Sequence, residues 1–274
     1  MEKINIACCQ IMPTSDKLVN LQKAEEAVRT QAASGANIVV LPEMFICPYA
    51  NAQFKIAAET ENGLTFKRMS ELARSLQIVL LAGSIPEKEN NELFNTSFVF
   101  GPDGNLLSKY RKAHLFDVAI EGGINFKESN VLNAGNQITV TETPFGRIGV
   151  AICFDVRFPE WFRLMVDAGA QIILVPAAFN MTTGPLHWEL ALRSRAVDNQ
   201  CFIAACSPAR DVNASYYAWG HSMIVDPWGQ ILAECAECEE SIMARIDLNE
   251  VETARNQLPI LKARRNDLYC IQKK

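Results

Sequence analysis

Histidine is scarce in this chain of 274 residues: it occurs three times, as His114, His187 and His221, far apart in sequence. No H-E-x-x-H run and no cluster of His and Asp exists, so no metal is expected. No G-x-G-x-x-G or Walker sequence occurs either, which argues against dinucleotide or ATP chemistry, and no cofactor is expected. No apolar run reaches the roughly 20 residues that cross a bilayer. The stretch from Met1 to Gln10 enters a strand directly and lacks an h-region followed by a small-residue cleavage site. Positive charge is not in excess: 26 Lys and Arg face 31 Asp and Glu, a net charge of −5. That balance argues against nucleic acid and anionic membrane as partners. Together these absences predict a cytoplasmic protein.

What is present is an ordinary globular composition, 49% hydrophobic and 21% charged. Nine cysteines, an odd number, are scattered through apolar strands, as small buried hydrophobes of a reducing compartment. Cys235 and Cys238 have C-x-x-C spacing without a partner pair, and read as one side of a strand pair near a turn.

No linker or low-complexity stretch divides the chain, but a weak internal repeat does. Gly35–Glu43 parallels Gly169–Ala177, and Val99–Leu107 parallels Ile224–Leu232. Each half reads as strand, helix, strand, helix, strand, then a hairpin around a Pro-x-Gly turn. A helix over Leu18–Ala33 carries Leu18, Leu21, Ala24, Val28 and Ala32 on one face and stops before Gly35. Further helices are predicted over Leu64–Leu76, Trp161–Ala168 and Leu186–Val197. Two similar mixed sheets, each covered by helices on one face, must bury the other face. The expected fold is therefore α/β, a four-layer α-β-β-α sandwich with pseudo-twofold internal symmetry. Residues 1–274 are expected to form one domain, with 251–274 as a C-terminal arm too apolar to hang free.

Three reactive residues stand where strands end. Cys153 closes the run Gly146–Ile152, Glu43 closes Asn37–Pro42, and Lys112 closes Leu106–Arg111. A rigid strand before a nucleophile and a free N–H after it suit covalent catalysis. Each has a plainer reading: a core cysteine, a solvated strand end, a basic edge strand. In the repeat Glu43 is matched by Ala177, so one half lends the acid and the other the thiol, and a site at their junction follows. A thiol is mostly neutral at pH 7. Glu43 can take its proton if burial raises the carboxyl toward neutrality. Lys112 and the backbone N–H of Phe154 can then hold the oxyanion. Glu43 protonates the departing nitrogen, and water cleaves the thioester.

The segments Leu41-Pro42-Glu43, Tyr110-Arg111-Lys112 and Ile152–Glu160, in this order, resemble the nitrilase superfamily of carbon–nitrogen hydrolases. The resemblance covers essentially the whole chain. Thr182–Glu189, Arg195–Gln200, Ser207–Asp211 and Ala218–Ser222 look like its ω-amidase branch. This implies the same sandwich, paired as a homodimer, and an amidase acting on α-ketoglutaramate and α-ketosuccinamate. The related amidase of deaminated glutathione shares the triad and the Gly-Pro-x-His-Trp-Glu helix start. The resemblance also implies a second glutamate, Glu128, near the lysine and the nucleophile, where it can hold Lys112. Read alone, Glu128 is a loop residue.

Specificity points to Arg157. If the segment after Cys153 turns helical, an i,i+4 relation brings its guanidinium to the nucleophile's side. There it can clamp a carboxylate, unless it pairs with Asp155 or Glu160. Tyr49, Phe116, Phe179 and Thr183 follow strands that carry catalytic or adjacent residues, and can shape the pocket for that acid tail. A Cys–His hydrolase using His187 or His221, and a catalytically dead binding protein, are the readings from other classes.

Overall fold

Strand β1 (Ile4–Gln10) turns Ile4, Ile6 and Cys8 to one side and Ala7 and Cys9 to the other, and all five are buried. A strand covered on both faces reads as a continuous apolar run, because neither face meets water. The same holds for β2 (Ile38–Val40) and β3 (Val79–Leu81). A computed structural model describes residues 3–272 of the chain.

The first sheet continues through β4 (Ile85–Glu89), β5 (Glu92–Phe100) and β6 (Leu106–Arg111). A small hairpin, β7 (Asp117–Ala119) and β8 (Asn125–Lys127), stands apart. The second sheet holds β9 (Thr139–Thr143), β10 (Gly146–Val150), β11 (Ile172–Pro176), β12 (Phe202–Cys206), β13 (Met223–Val225) and β14 (Ile231–Glu234). The chain then returns as β15 (Glu240–Ile246) to the first sheet, whose order is β15-β1-β2-β3-β5, with β4 and β6 also paired to β5. In each sheet an antiparallel strand flanks a parallel trio: β15 beside β1, β2 and β3, and β9 beside β10, β11 and β12. That correspondence is the pseudo-twofold symmetry of the sandwich. The first half departs from it by the extra strand β4, which shares one edge of β5 with β3.

The helices are α1 (Lys17–Ala33), α2 (Asn51–Ala57), α3 (Leu64–Leu76), α4 (Pro159–Asp167), α5 (Gly184–Asn199) and α6 (Asn249–Gln257). Leu21, Ala24 and Val28 of α1 and Met69, Leu72 and Ala73 of α3 pack on the outer face of the first sheet. Phe162 and Met165 of α4, with Trp188, Leu192 and Ala196 of α5, belong to the core of the second. No helix among the described residues is long and apolar enough to cross a membrane.

Three sequence expectations need correction. Leu18 is 59% exposed, and the buried place on α1 goes to Asn20. The Asn20 side chain exchanges hydrogen bonds with Thr14 (2.7 Å to its carbonyl, 2.7 Å from its amide), which fixes the helix rotation from the preceding loop. Glu128, which read alone is a loop residue, is buried and opens a 3-10 turn directly after β8. The arm begins later than residue 251, because Val251 and Ala254 of α6 are core residues. Beyond Gln257, Arg264 grips Asp167 of α4 in bidentate fashion (2.7 and 2.8 Å), while Leu268 and Tyr269 stay exposed. The arm's last two residues, Lys273 and Lys274, lie outside the described residues, as do Met1 and Glu2.

One glycine controls where Glu43 stands. Gly83 has φ +48°, and a Cβ there would meet the Pro42 carbonyl at 2.1 Å. A backbone atom cannot rotate away, so Gly83→Ala must push the Leu41–Glu43 turn out of place. It should destabilise the protein by about 2 kcal/mol or more, measured by urea unfolding. Gly122→Ala, where nothing lies within 4 Å of the new Cβ, should stay within about 1 kcal/mol despite its positive φ.

Candidate active site

Strand β10 runs into Ala151 and Ile152, and the chain then turns sharply. Cys153 adopts φ +45°, a left-handed backbone that non-glycine residues avoid, and opens a 3-10 turn through Arg157. Such strain persists only where the surroundings enforce it. Here the enforcer is buried Asp155. Its carboxylate accepts from the Ile152 amide (2.8 Å), the Tyr110 hydroxyl (2.7 Å), the His114 amide (3.0 Å) and His114 Nδ1 (2.7 Å). Tyr110 and His114 flank Lys112, so one side chain ties the thiol's turn to the end of β6. The His114 ring also stacks on Phe158 at 3.7 Å. The histidines read as alternative bases serve elsewhere: His187 meets Arg157, and His221 pairs with Glu234 at 3.2 Å.

Glu43, Lys112 and Glu128 come together, with no exposed side-chain surface. Lys112 Nζ lies 2.8 Å from Glu43 Oε1, and 3.1 and 2.9 Å from Oε1 and Oε2 of Glu128. The two glutamates differ in their surroundings. Glu128 has both oxygens engaged, Oε1 by the Tyr49 hydroxyl (2.9 Å) and Oε2 by the Phe116 amide (2.6 Å) besides Lys112. Glu43 accepts only through Oε1, from Lys112 and from Asn95 Nδ2 (2.7 Å). Its Oε2 has no hydrogen-bond partner, and the Cys153 thiol and the carboxyl each shift the ionisation of the other.

The electrostatics follow from burial. Desolvation pushes the Glu43 carboxyl up from its ordinary value; Lys112 opposes this and the Glu128 charge adds to it. Desolvation works against the Lys112 charge too, but Glu128 and Glu43 outweigh it, and the ammonium is held well above its usual range. Burial, then the Glu43 charge, raises the Cys153 thiol, while Lys112 and a hydrogen bond from the Ala178 amide favour the thiolate. The resting site therefore suits a neutral thiol beside a basic carboxylate and a fixed cation. That set can pass a proton from sulfur to Glu43 and offer Lys112 to a developing oxyanion. The Phe154 amide opens the 3-10 turn, where first-turn N–H groups lack intrahelical acceptors. Among the described residues no group of three His, Cys, Asp or Glu side chains is arranged to hold a metal.

A narrow cleft of only about 10 Å³ lies over Cys153, and Phe116, Phe154, Arg157, Phe179, Thr183 and Tyr216 line it. Arg157 sits 5.0 Å above the Phe179 ring and donates to His187 Nδ1 at 3.1 Å. Neither Asp155 nor Glu160 pairs with it. Asp155 is committed to Tyr110 and His114, and the groups that act on the Arg157 charge are burial, Cys153 and Tyr216. Tyr49 departs from the expectation of a substrate contact. It does not line this cleft; its hydroxyl turns inward to Glu128 and, at 3.4 Å, to Glu43. Its ring stacks on Tyr216 (4.5 Å), whose hydroxyl bonds the Ala178 carbonyl. Sequence reasoning missed Tyr216, Ala178 and Asn95. For Asn95 there was a signal: Asn95-Thr96-Ser97 is a polar triplet inside an otherwise apolar strand, and all three are fully buried.

Comparison with known proteins agrees with this geometry. The model of the carbon–nitrogen hydrolase family matches residues 5–256. The chain is 46% identical to the mouse (Mus musculus) omega-amidase NIT2, over 100% of this chain and 99% of that protein. It is 46% identical to the chloroplastic omega-amidase of Arabidopsis thaliana, over 98% of this chain and 74% of that one. Among solved structures, Nit3 of Saccharomyces cerevisiae, a member of branch 10 of the nitrilase superfamily, superposes with a TM-score of 0.88 at 40% identity, covering 96% of this chain and 97% of that one.

The buried Glu43 charge has a consequence for stability. A carboxyl raised in the folded state favours folding while it is protonated. That contribution is complete below the unfolded value of about 4.3 and is lost as pH rises through the folded value. Glu43→Gln removes the ionisation and keeps the shape. The variant should lose activity yet be at least as stable as the wild type at pH 8, with its relative advantage shrinking toward pH 4. Thermal melts at the two pH values check this; a variant markedly less stable at pH 8 contradicts it.

Proposed function

We propose, from the premise that this chain belongs to the carbon–nitrogen hydrolase family, that it is a thiol-dependent ω-amidase. It hydrolyses the terminal amide of dicarboxylate monoamides, α-ketoglutaramate and α-ketosuccinamate, to the keto diacid and ammonia. The observation that carries this choice of substrate is Arg157, a guanidinium without a carboxylate partner that faces the cleft over the nucleophile. An unpaired, half-buried cation calls for an anion from the substrate.

The proposed course uses each group once per half-reaction. The substrate's distal carboxylate meets Arg157 and Thr183, with Phe116, Phe154 and Phe179 around its carbon chain. Glu43 takes the Cys153 proton as the sulfur attacks the amide carbon. Lys112 and the Phe154 amide receive the oxyanion. Glu43 returns the proton to nitrogen, ammonia leaves, and a thioester remains on Cys153. Water then attacks, with Glu43 again as base. Glu128 and Tyr49 hold the carboxylates and the ammonium in place.

Residues 1–274 act as one domain, and two copies form a homodimer. Support for pairing comes from the exposed apolar residues Leu186 (70%) and Leu190 (66%) on α5, with Trp228 beside them and Leu268 and Tyr269 on the arm. Nine free cysteines fit a reducing, cytoplasmic setting.

A panel of amides with ammonia release as the readout tests the activity. Wild type should prefer dicarboxylate monoamides to neutral amides of equal length. Arg157→Lys keeps the charge but loses the fork, so kcat/KM for the acid-bearing amide should fall about ten- to hundredfold. Neutral amides should change by only a few-fold, and an equal loss for both would assign Arg157 to the site's architecture instead. Sedimentation at micromolar concentration should give a dimer, which Leu190→Asp shifts toward monomer; a monomeric wild type contradicts the pairing.

A further inference from the structure

We propose that Asn95 is a positioning residue for the reaction, holding Glu43 so that the thiol proton is received on Oε2 and on no other oxygen. This rests on the roles of Glu43 as base and Cys153 as nucleophile given above. Asn95 lies in β5, fully buried, and its carbonyl accepts the Lys112 amide at 2.9 Å. That bond locks Asn95 beside Lys112 in the sheet. Its side-chain nitrogen donates to Glu43 Oε1 at 2.7 Å and reaches Glu128 Oε1 at 3.3 Å. Carboxylates only accept, so the amide must present nitrogen to them; the flipped amide would set oxygen against two oxygens. In consequence Asn95 Oδ1 is left buried without a partner. An orphaned oxygen is unfavourable, and what it secures is a donor for each carboxylate.

The result is an asymmetric base. Oε1 of Glu43 is occupied by Asn95 and Lys112, with the Tyr49 hydroxyl at 3.4 Å; Oε2 has no hydrogen-bond partner and is left to receive a proton. A proton arriving on Oε1 would break two short hydrogen bonds, whereas one on Oε2 breaks none. The S–H bond therefore breaks as the Oε2–H bond forms. Oε2–H then gives its proton to the leaving nitrogen as the C–N bond breaks. In the second half water passes a proton to Oε2, and that proton returns to sulfur as the C–S bond breaks. Lys112 cannot hold Oε1 alone, because the same ammonium must serve the oxyanion. Asn95 is a neutral donor with no second duty, and keeps the carboxylate oriented throughout.

The test replaces the donor with an apolar side chain. Asn95→Leu keeps the volume, and Asn95→Val suits the strand, so that one misfolding variant does not end the experiment. The titratable groups facing Glu43 are Lys112, Glu128, Cys153, Tyr49 and Tyr216, and neither substitution alters them. Two pH profiles are read on folded protein: kcat/KM for a dicarboxylate monoamide, and the rate of Cys153 alkylation by iodoacetamide, which needs no substrate. Losing a hydrogen bond to the ionised carboxylate makes it harder to ionise. The acid limb of both profiles should therefore move up by about one pH unit. An acid limb at the wild-type pH in a folded variant overturns the proposal. If the wild type hydrolyses no amide, the ω-amidase reading fails, while the alkylation profile still decides the role of Asn95.

Discussion

A lysine ammonium without exposed surface, shared between two carboxylates, is the interaction on which the rest of this molecule depends. Taking three charges out of water costs several kcal/mol per ion unless geometry and further hydrogen bonds compensate. Lys112 spans Glu43 and Glu128 at 2.8 to 3.1 Å, and Tyr49, Asn95 and the Phe116 amide supply neutral donors. The cluster nonetheless carries one more negative than positive charge, and Glu43 bears the imbalance. Burial raises its carboxyl above its ordinary value, and the same shift that disfavours the buried charge makes it a stronger base. The two glutamates diverge in role because one has every oxygen engaged and the other keeps one oxygen open.

The sandwich exists, in functional terms, to bring that cluster to the thiol. Glu43 follows β2 of the first sheet and Cys153 follows β10 of the second, so neither sheet alone holds both. Asp155 makes the join precise. It clamps the Ile152 amide on the nucleophile's side and Tyr110 and His114 on the lysine's side. The left-handed backbone at Cys153 is the local expense of aiming the sulfur, and a saturated buried carboxylate sustains it. Rigidity here has a chemical purpose, since a base and a nucleophile must stay within hydrogen-bonding reach while Lys112 serves the oxyanion.

Arg157 shows how selectivity is added without disturbing the catalytic cluster. It lies on the same 3-10 turn as the nucleophile, faces aromatic rings, and is fixed by His187 through a nitrogen that must accept, because guanidinium only donates. The acid tail of a substrate would complete its coordination.

Much of this was written in local sequence. Strand runs ending in Glu43, Lys112 and Cys153, the glycines after helices, the paired Pro-x-Gly hairpins and the repeated halves follow from periodicity and turn chemistry, which act over a few residues. The helix Leu64–Leu76 was legible to the residue for that reason. Other features were decided only by packing at long range. The rotation of α1 buries Asn20 against Thr14 together with Leu21, and leaves Leu18 exposed. Glu128 looks like a loop residue until the hairpin β7–β8 carries it under Tyr49, and Tyr49 looks like a pocket residue until its hydroxyl finds Glu128. The polar triplet around Asn95 marks a position of interest, but the role of a buried asparagine comes from its partners, and those lie 52 and 33 residues away in sequence. Backbone preferences and hydrophobic period, being local, were set by the chain's own order. Which polar groups are buried together, and so which carboxylate is the base, depends on desolvation and hydrogen bonding between distant segments, and only the tertiary structure determines that.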